Sequence, residues 1–180
     1  MSNTELCILI KQLNLSSSDV ADALGRKGRR TRATQMSGPP TTFVGPVFHV
    51  AAVECSNWLV HKMLEKVPED HVVFVEHCCL EHNCYSMDIA LVGGLICDFA
   101  VNYRRALCVV ADGNIRDLEE LRSKNIPVWA NGSSPIICTK DPTPTEFYQR
   151  FNDSVAVCDS TGVIFIEPKM MTEDLPDKLK

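Results

Sequence analysis

Arg116 and Asp117 stand side by side after a short apolar run, Leu107-Cys108-Val109-Val110-Ala111, and just ahead of Leu118-Glu119-Glu120-Leu121-Arg122. A guanidinium can hold a carboxylate through two parallel hydrogen bonds, and a neighbouring carboxylate can hold a hard divalent cation. One turn could therefore grip a small acid and its metal. The same residues also admit a structural reading. Asp117, with Glu120 three positions on, has the spacing of a helix N-cap and its capping-box partner, which would spend the carboxylate on backbone amides. Both readings are open at this level. Gly93-Gly94 presents a similar choice: it could leave the amides of Leu95 and Ile96 free to approach an anion at a helix start, or simply make a tight strand-to-helix turn.

Other chemistry-bearing runs are weaker. His77-Cys78-Cys79-Leu80-Glu81-His82-Asn83-Cys84 offers thiolates and imidazoles that suit zinc, but it has no paired second knuckle at the usual spacing, so it reads as a loop with incidental thiols. Asn131-Gly132-Ser133-Ser134-Pro135 has no nearby histidine with an orienting acid and reads as a turn, not a serine nucleophile. Five basic residues fall between Arg26 and Arg32. They could meet RNA, an acidic partner surface or a nuclear-import receptor; without interleaved aromatic residues for base stacking they read first as a solvated loop. Gly113 follows a strand, yet no Gly-rich phosphate or dinucleotide fingerprint surrounds it, so nothing supports a methyl-donor site.

These residues must be positioned by one domain. A chain of 180 residues buries around 70% of its unfolded surface when it folds as a single unit. A net charge of −5 gives no general electrostatic reason to bind nucleic acid directly. The longest mostly apolar run, Ile89 to Cys97, is interrupted by glycines and bounded by Asp88 and Asp98, well short of the roughly 20 residues that cross a bilayer. Glu5 precedes the apolar patch Leu6–Ile10 and Lys11 follows it, which reverses the charge order of a secretory signal. Nine cysteines without a regular framework fit reduced thiols in the cytoplasm.

The element pattern alternates between helix and strand. Ser16-Ser17-Ser18-Asp19 predicts a capped helix that ends near Gly28. Residues 25–42 form a basic and Pro-rich loop. A strand is expected over Phe43–Val53, a helix over Glu54–Val67, a strand over His71–Glu76, a helix over Leu95–Arg104 and a strand over Ala106–Ala111. A helix at Leu118–Lys124 and strands at Pro127–Ala130 and Gly162–Ile166 complete this α/β map. The Pro-rich stretch Thr139–Thr145 reads as an exposed connection, and residues 169–180 as a charged tail without core-forming period that docks on a neighbouring subunit or frays.

Ordered segments carry a family resemblance. They are Ser18-Asp19-Val20-Ala21-Asp22-Ala23-Leu24, Phe43-Val44-Gly45-Pro46-Val47, Gly93-Gly94-Leu95, the run from Val109 through Arg116-Asp117 to Pro127–Pro135, and Asp159-Ser160-Thr161-Gly162-Val163-Ile164. In order and spacing they resemble the regulator of ribonuclease activity A (RraA-like) and 4-hydroxy-4-methyl-2-oxoglutarate aldolase family, whose members are also labelled demethylmenaquinone methyltransferase-like. The resemblance implies a swivelling β/β/α sandwich assembled as a homotrimeric ring, or a dimer of such rings, with sites between subunits. In catalytic relatives the residue matching Arg116 binds the pyruvyl carboxylate and polarises the oxygen that gathers enolate charge. The residue matching Asp117 holds magnesium or manganese. That division of labour is physically sound, because cation and guanidinium together stabilise an enolate.

One departure bears on activity. The catalytic pattern implied by the resemblance has an acid at a fixed spacing before the Arg, orienting a metal-bound water. Counting back lands on Leu95, or on Gly94 with one insertion. Asp98, one helical turn beyond Gly94, is the available substitute, displaced by about 5 Å. Two functions follow as expectations: a divalent-metal-dependent aldolase or oxaloacetate decarboxylase acting on short 2-oxo acids, or a non-catalytic ring that binds and regulates a ribonuclease-type protein.

Overall fold

The computed structural model describes residues 1–78, 88–143 and 151–180. Four nearly continuous apolar runs form its centre. Strands β3 (Phe43–Val53), β4 (Val72–Cys78), β6 (Cys108–Asp112) and β8 (Val128–Ala130) lie parallel in the order β3-β4-β6-β8. Such strands lack polar alternation because both their faces are covered.

Their side chains still divide by parity. Val73, Val75, Val109, Ala111 and Val128 pack in one cluster with Leu59, Ile96 and Leu121. Those three belong to helices α3 (Trp58–Met63), α4 (Gly94–Asp98) and α5 (Leu118–Ser123). Val72, Phe74, Cys108, Val110 and Trp129 pack in another cluster, against a second portion of sheet.

Strand β3 is long enough to serve both portions. Val47–Val53 pairs with β4, while Phe43–Pro46 pairs antiparallel with β10 (Val155–Cys158). β10 is followed in the sheet by β11 (Val163–Ile166) and the short edge strand β1 (Arg29–Arg30). Ala156, Cys158 and Phe165 fill the space between the two portions. Val155, Val157, Ile164 and Ile166 instead pack with Leu6 and Ile10 of α1 (Asn3–Gln12), Val20 of α2 (Ser17–Ala23), and Leu175 and Leu179 of α6 (Leu175–Leu179). The layers run helix, sheet, sheet, helix.

The eight-stranded order is β1-β11-β10-β3-β4-β6-β8-β2, with β2 (Thr34–Ser37) antiparallel to β8. Its two ends are consecutive strands joined by Thr31-Arg32-Ala33, so the sheet curls back toward itself. A cross-link ties the layers together. Trp129 Nε1 donates to the Asp159 carbonyl oxygen at 2.7 Å, and the Asp159 carboxylate accepts from Ser17 N and Oγ at 2.6 and 2.8 Å.

Several expectations need correction. The 25–42 segment is not wholly loop; it contributes β1 and β2, strands of two and four residues, too short to display alternation. Gly28 does not end the first helix. α2 stops at Ala23, and Gly28 lies where a Cβ would come within 2.5 Å of Ile164 Cδ1. The helix expected over Leu95–Arg104 is α4 followed by a π-helical turn, Phe99–Tyr103. α1 and β10 went unread. The tail is not wholly frayed: Leu175 and Leu179, one turn apart, are buried against α1 and α2. Two apolar residues at i and i+4 are enough to seat a short helix without a visible longer period. Cys79 to Cys84 of the candidate zinc run lie outside the described residues. Among the described residues no helix is long and apolar enough to cross a membrane.

Candidate functional site

Strands β6 and β8 each pause for one residue and resume as β7 (Asn114–Ile115) and β9 (Gly132–Ser133). With β5 (Ala90–Val92) they form a separate parallel sheet in the order β5-β7-β9. The residues after these three strands meet. Gly93-Gly94 follows β5, Arg116-Asp117 follows β7, and Ser134-Pro135 follows β9. Arg116 N donates to the Val92 carbonyl oxygen at 3.0 Å, and Ser134 N to that of Ile115 at 2.9 Å. Convergent carboxyl ends of parallel strands are the usual ligand position in α/β folds.

The Asp117 carboxylate does not cap its own helix. Its backbone is left-handed, φ 60 and ψ 36, and it makes no side-chain cap bond to α5. Asp117 Oδ2 instead accepts the Gly94 N–H at 3.1 Å and Arg116 Nε at 3.1 Å. Glu120 does not complete a capping box either, since its Oε1 pairs with Lys124 Nζ at 2.7 Å. The capping reading is therefore overturned. A left-handed non-glycine residue costs on the order of 1 kcal/mol, and here the turn swings the carboxylate from α5 to the first amide of α4.

The two glycines are needed for close approach. A Cβ on Gly93 would lie 2.6 Å from Asp117 Oδ2 and 2.9 Å from Arg116 Cγ, and one on Gly94 would lie 2.7 Å from Glu120 Oε2. The Gly94 amide is spent on Asp117. Leu95 is 78% exposed, whereas the Ile96 side chain is buried in the core.

Arg116 and Asp117 are 40% and 34% exposed at their side chains. Among the described residues neither Arg116 Nη atom and no Oδ1 of Asp117 has a hydrogen-bond partner. The two residues line a cleft of about 330 Å³ together with Leu118, Ser133, Ser134 and Pro135. The two serines were read only as a turn. The signal that could have placed them was their position after a strand parallel to the one preceding Arg116.

Asp98 lies in a different network. It accepts from Lys124 Nζ at 2.6 Å and from Asn102 Nδ2 at 2.7 Å. Lys124 first, and then Asn102, hold its carboxyl below the ordinary range, and Asp98 and Glu120 in turn raise the Lys124 ammonium. Cys97 next to it is fully buried. Burial first, then the charges of Asp117 and Asp98, push its thiol up to about 12, so it is no nucleophile at neutral pH.

The donor set fits a hydrated cation. Among the described residues no group of three His, Cys, Asp or Glu side chains could enclose a metal. Magnesium and manganese-type sites need only one or two carboxylates and keep several waters. One free Asp117 oxygen, with the Glu120 carboxylate also against Gly94, matches that requirement. His77 and Cys78 end β4 apart from such an arrangement. The sequence reading also passed over a buried pair between the sheets, His49 Nε2 and Glu76 Oε2 at 3.0 Å.

Residues 17–167 match the RraA-like family profile described as Aldolase/RraA. The chain belongs to the RraA-like family. Among solved RraA-like structures, the RNA-processing inhibitor RraA from Thermus thermophilis is 26% identical, with a TM-score of 0.65 over 86% of this chain and 94% of that one. The Streptomyces coelicolor RraAS2, an unusual member of the RNase ES inhibitor RraA family, shares the fold at 16% identity and TM-score 0.69, covering 95% of this chain and 88% of its own. A Geobacillus kaustophilus protein named as an S-adenosylmethionine:2-dimethylmenaquinone methyltransferase also shares the fold, at 23% identity and TM-score 0.67, over 85% and 95% of the two chains. No curated protein matches significantly.

Proposed function

We propose that the chain is a divalent-metal-dependent lyase for short 2-oxo acids, and that decarboxylation of oxaloacetate is the reaction its side chains serve. The observation that carries this reading is the Arg116–Asp117 turn, in which Gly94 N donates to the Asp117 carboxylate while both residues line an open cleft. Asp117 would hold magnesium or manganese, with Glu120 beside it; when bound, the cation supplies a Lewis acid for the oxygen that gathers charge. Arg116 grips the carboxylate adjacent to the carbonyl and faces the same oxygen. Gly93 and Gly94 allow the close approach that sets the pair in place, and Ser133, Ser134 and Pro135 line the cleft beside it.

Decarboxylation asks little proton chemistry of the protein. The bond between C3 and C4 breaks, carbon dioxide leaves, the electron pair passes into an enolate stabilised by Arg116, and a solvent proton at C3 yields pyruvate. Aldol cleavage asks for more, because a base must take the substrate hydroxyl proton. Leu95, or Gly94 with one insertion, stands where the resemblance implies an acid, and neither side chain can serve as a base; Asp98 is occupied by Lys124 and Asn102. Decarboxylation therefore survives where aldol cleavage is lost. The test is pyruvate release from oxaloacetate with magnesium or manganese. We expect turnover above the free-metal rate that Arg116→Ala abolishes; equal rates with and without protein would end the proposal.

We further propose assembly as a homotrimeric ring or a dimer of rings in the cytoplasm. Leu95 and Tyr103 line a shallow exposed hollow with Asp98, Phe99 and Asn102, apolar groups in want of cover, and Cys7, Cys55, Cys97, Cys108, Cys138 and Cys158 are free thiols. The same exposed side chains favour a second reading, a non-catalytic ring that binds a ribonuclease-type protein. Its check is a pull-down paired with a nuclease assay, in which absence of both partner and inhibition counts against it.

A further inference from the structure

The lyase reading gives Glu120 only a place beside Asp117 and gives Lys124 no task. Asp117, Glu120 and Lys124 stand at i, i+3 and i+7 along α5 and its caps, so they share one face of the helix. α4 packs against α5, and it meets Glu120 with a residue that has no side chain. A Cβ on Gly94 would lie 2.7 Å from Glu120 Oε2, 3.0 Å from Glu120 Cδ and 3.3 Å from Asp117 Cβ. The Glu120 carboxylate therefore fills the place of a side chain at position 94, and it does so next to Asp117.

The two oxygens of Glu120 have different surroundings. Oε1 accepts from Lys124 Nζ at 2.7 Å, and the same ammonium donates to Asp98 Oδ2 at 2.6 Å. Oε2 lies against Gly94 and accepts no hydrogen bond among the described residues. One ammonium thus divides its charge between two carboxylates, and Glu120 keeps negative charge beside Asp117. Glu119, its neighbour in sequence, differs: its side chain is 90% exposed and pairs with Arg122 at 3.3 Å. Glu120 is not among the residues that line the cleft, so its influence on a bound ion is through charge and not through contact with substrate.

We propose that Glu120 is a positioning residue that draws a divalent cation to Asp117, and that Lys124 sets how strongly it does so. The inference rests on the lyase reading for the role of Asp117. A hydrated magnesium or manganese ion needs one or two carboxylates and keeps several waters. A second carboxylate beside the first therefore raises affinity, and an ammonium paired with it lowers that gain. Gly94 is required on this account, because a larger residue pushes the Glu120 carboxylate away. Both side chains are nearly half exposed, 46% for Glu120 and 42% for Lys124, so solvent holds each effect to about tenfold or less.

The test is manganese binding to the full chain without substrate, read by the electron paramagnetic resonance signal of the free ion. We expect Glu120→Gln to weaken binding by about tenfold, and Glu119→Gln, the same charge change on the neighbouring residue, by less than about twofold. Gly94→Ala keeps every charge but displaces the carboxylate, and should weaken binding by about fivefold. Combined with Glu120→Gln it should add nothing, since both changes act through one group. Lys124→Met should tighten binding by about fivefold. Circular dichroism establishes that each variant is folded. Equal affinities for Glu120→Gln and Glu119→Gln, full affinity in Gly94→Ala, or weaker binding by Lys124→Met would each overturn this inference and leave Asp117 as the ion's carboxylate. Parent protein that binds no manganese would end the lyase reading, and this inference with it.

Discussion

Two aspartates flank α4, and their exposures are nearly equal: 34% for the Asp117 side chain and 31% for Asp98. Their surroundings are not equal. Asp117 places one oxygen on a backbone amide and Arg116, keeps the other without a hydrogen-bond partner among the described residues, and lines a cleft. Asp98 places one oxygen on Lys124 and the other on Asn102. A carboxylate becomes a ligand through the coordination it has left, and neither exposure nor residue type reports that. On α4 itself Leu95 is an aliphatic side chain in solvent; it, or Gly94 with one insertion, takes the place at which the resemblance implies an acid.

The largest effect that sharpens this contrast is at Arg116. Replacing it with alanine removes the charge that faces the developing enolate, and kcat/KM for oxaloacetate should fall by about 10² to 10³. Steady-state kinetics with pyruvate detection reads it, and a loss under about threefold would place the charge stabilisation elsewhere.

Gly93→Ala comes next. Its methyl would sit 2.6 Å from Asp117 Oδ2, so carboxylate and guanidinium must move apart. We expect about a tenfold to hundredfold loss of the same activity, with a folded far-UV spectrum. Full activity in this variant would mean that the close approach of the two strand ends is irrelevant.

Leu95→Glu tests the missing acid. The position is exposed, so the change is tolerated structurally, and the variant should gain retro-aldol cleavage of a 4-hydroxy-2-oxo acid by about tenfold over the parent. No gain would show that the acid is not the group that separates the two reactions.

The smallest effect belongs to Asp98→Asn. Decarboxylation should be unchanged, and Tm should fall by about 2 °C or less, as for an exposed ion pair. The Asp98 carboxyl is depressed in the folded chain, so the pair stabilises above the ordinary carboxylate pKa of about 3.9 and that contribution is lost as pH falls through the lower folded value. The Tm difference between parent and variant should therefore vanish in acid. A difference that persists in acid strong enough to protonate the folded carboxyl would contradict this account of the pair.

Much of this architecture was legible in the residues. Val47–Val53 and Cys108–Ala111 announced strands by nearly continuous apolar runs, and β3 has the bounds expected of it. β10 was missed because Val155–Cys158 is only four residues long, and α1 because the Leu6–Ile10 patch was weighed as a signal sequence and not as one face of a helix. At the site, Arg116 and Asp117 were visible by type. The commitment of Asp98 to Lys124 was not, because their 26-residue separation is closed only by packing α4 against α5. The left-handed turn at Asp117 was equally hidden: its spacing to Glu120 is that of a capping box, and only the backbone conformation shows the carboxylate leaving its own helix.

Isothermal titration of oxalate, a planar mimic of the enolate, into protein with manganese present tests the pair most directly. The account predicts one oxalate bound per chain, dependent on the metal, and lost in both Arg116→Ala and Asp117→Asn. Oxalate binding that persists unchanged in either variant, or metal-loaded parent protein that binds none, would contradict it.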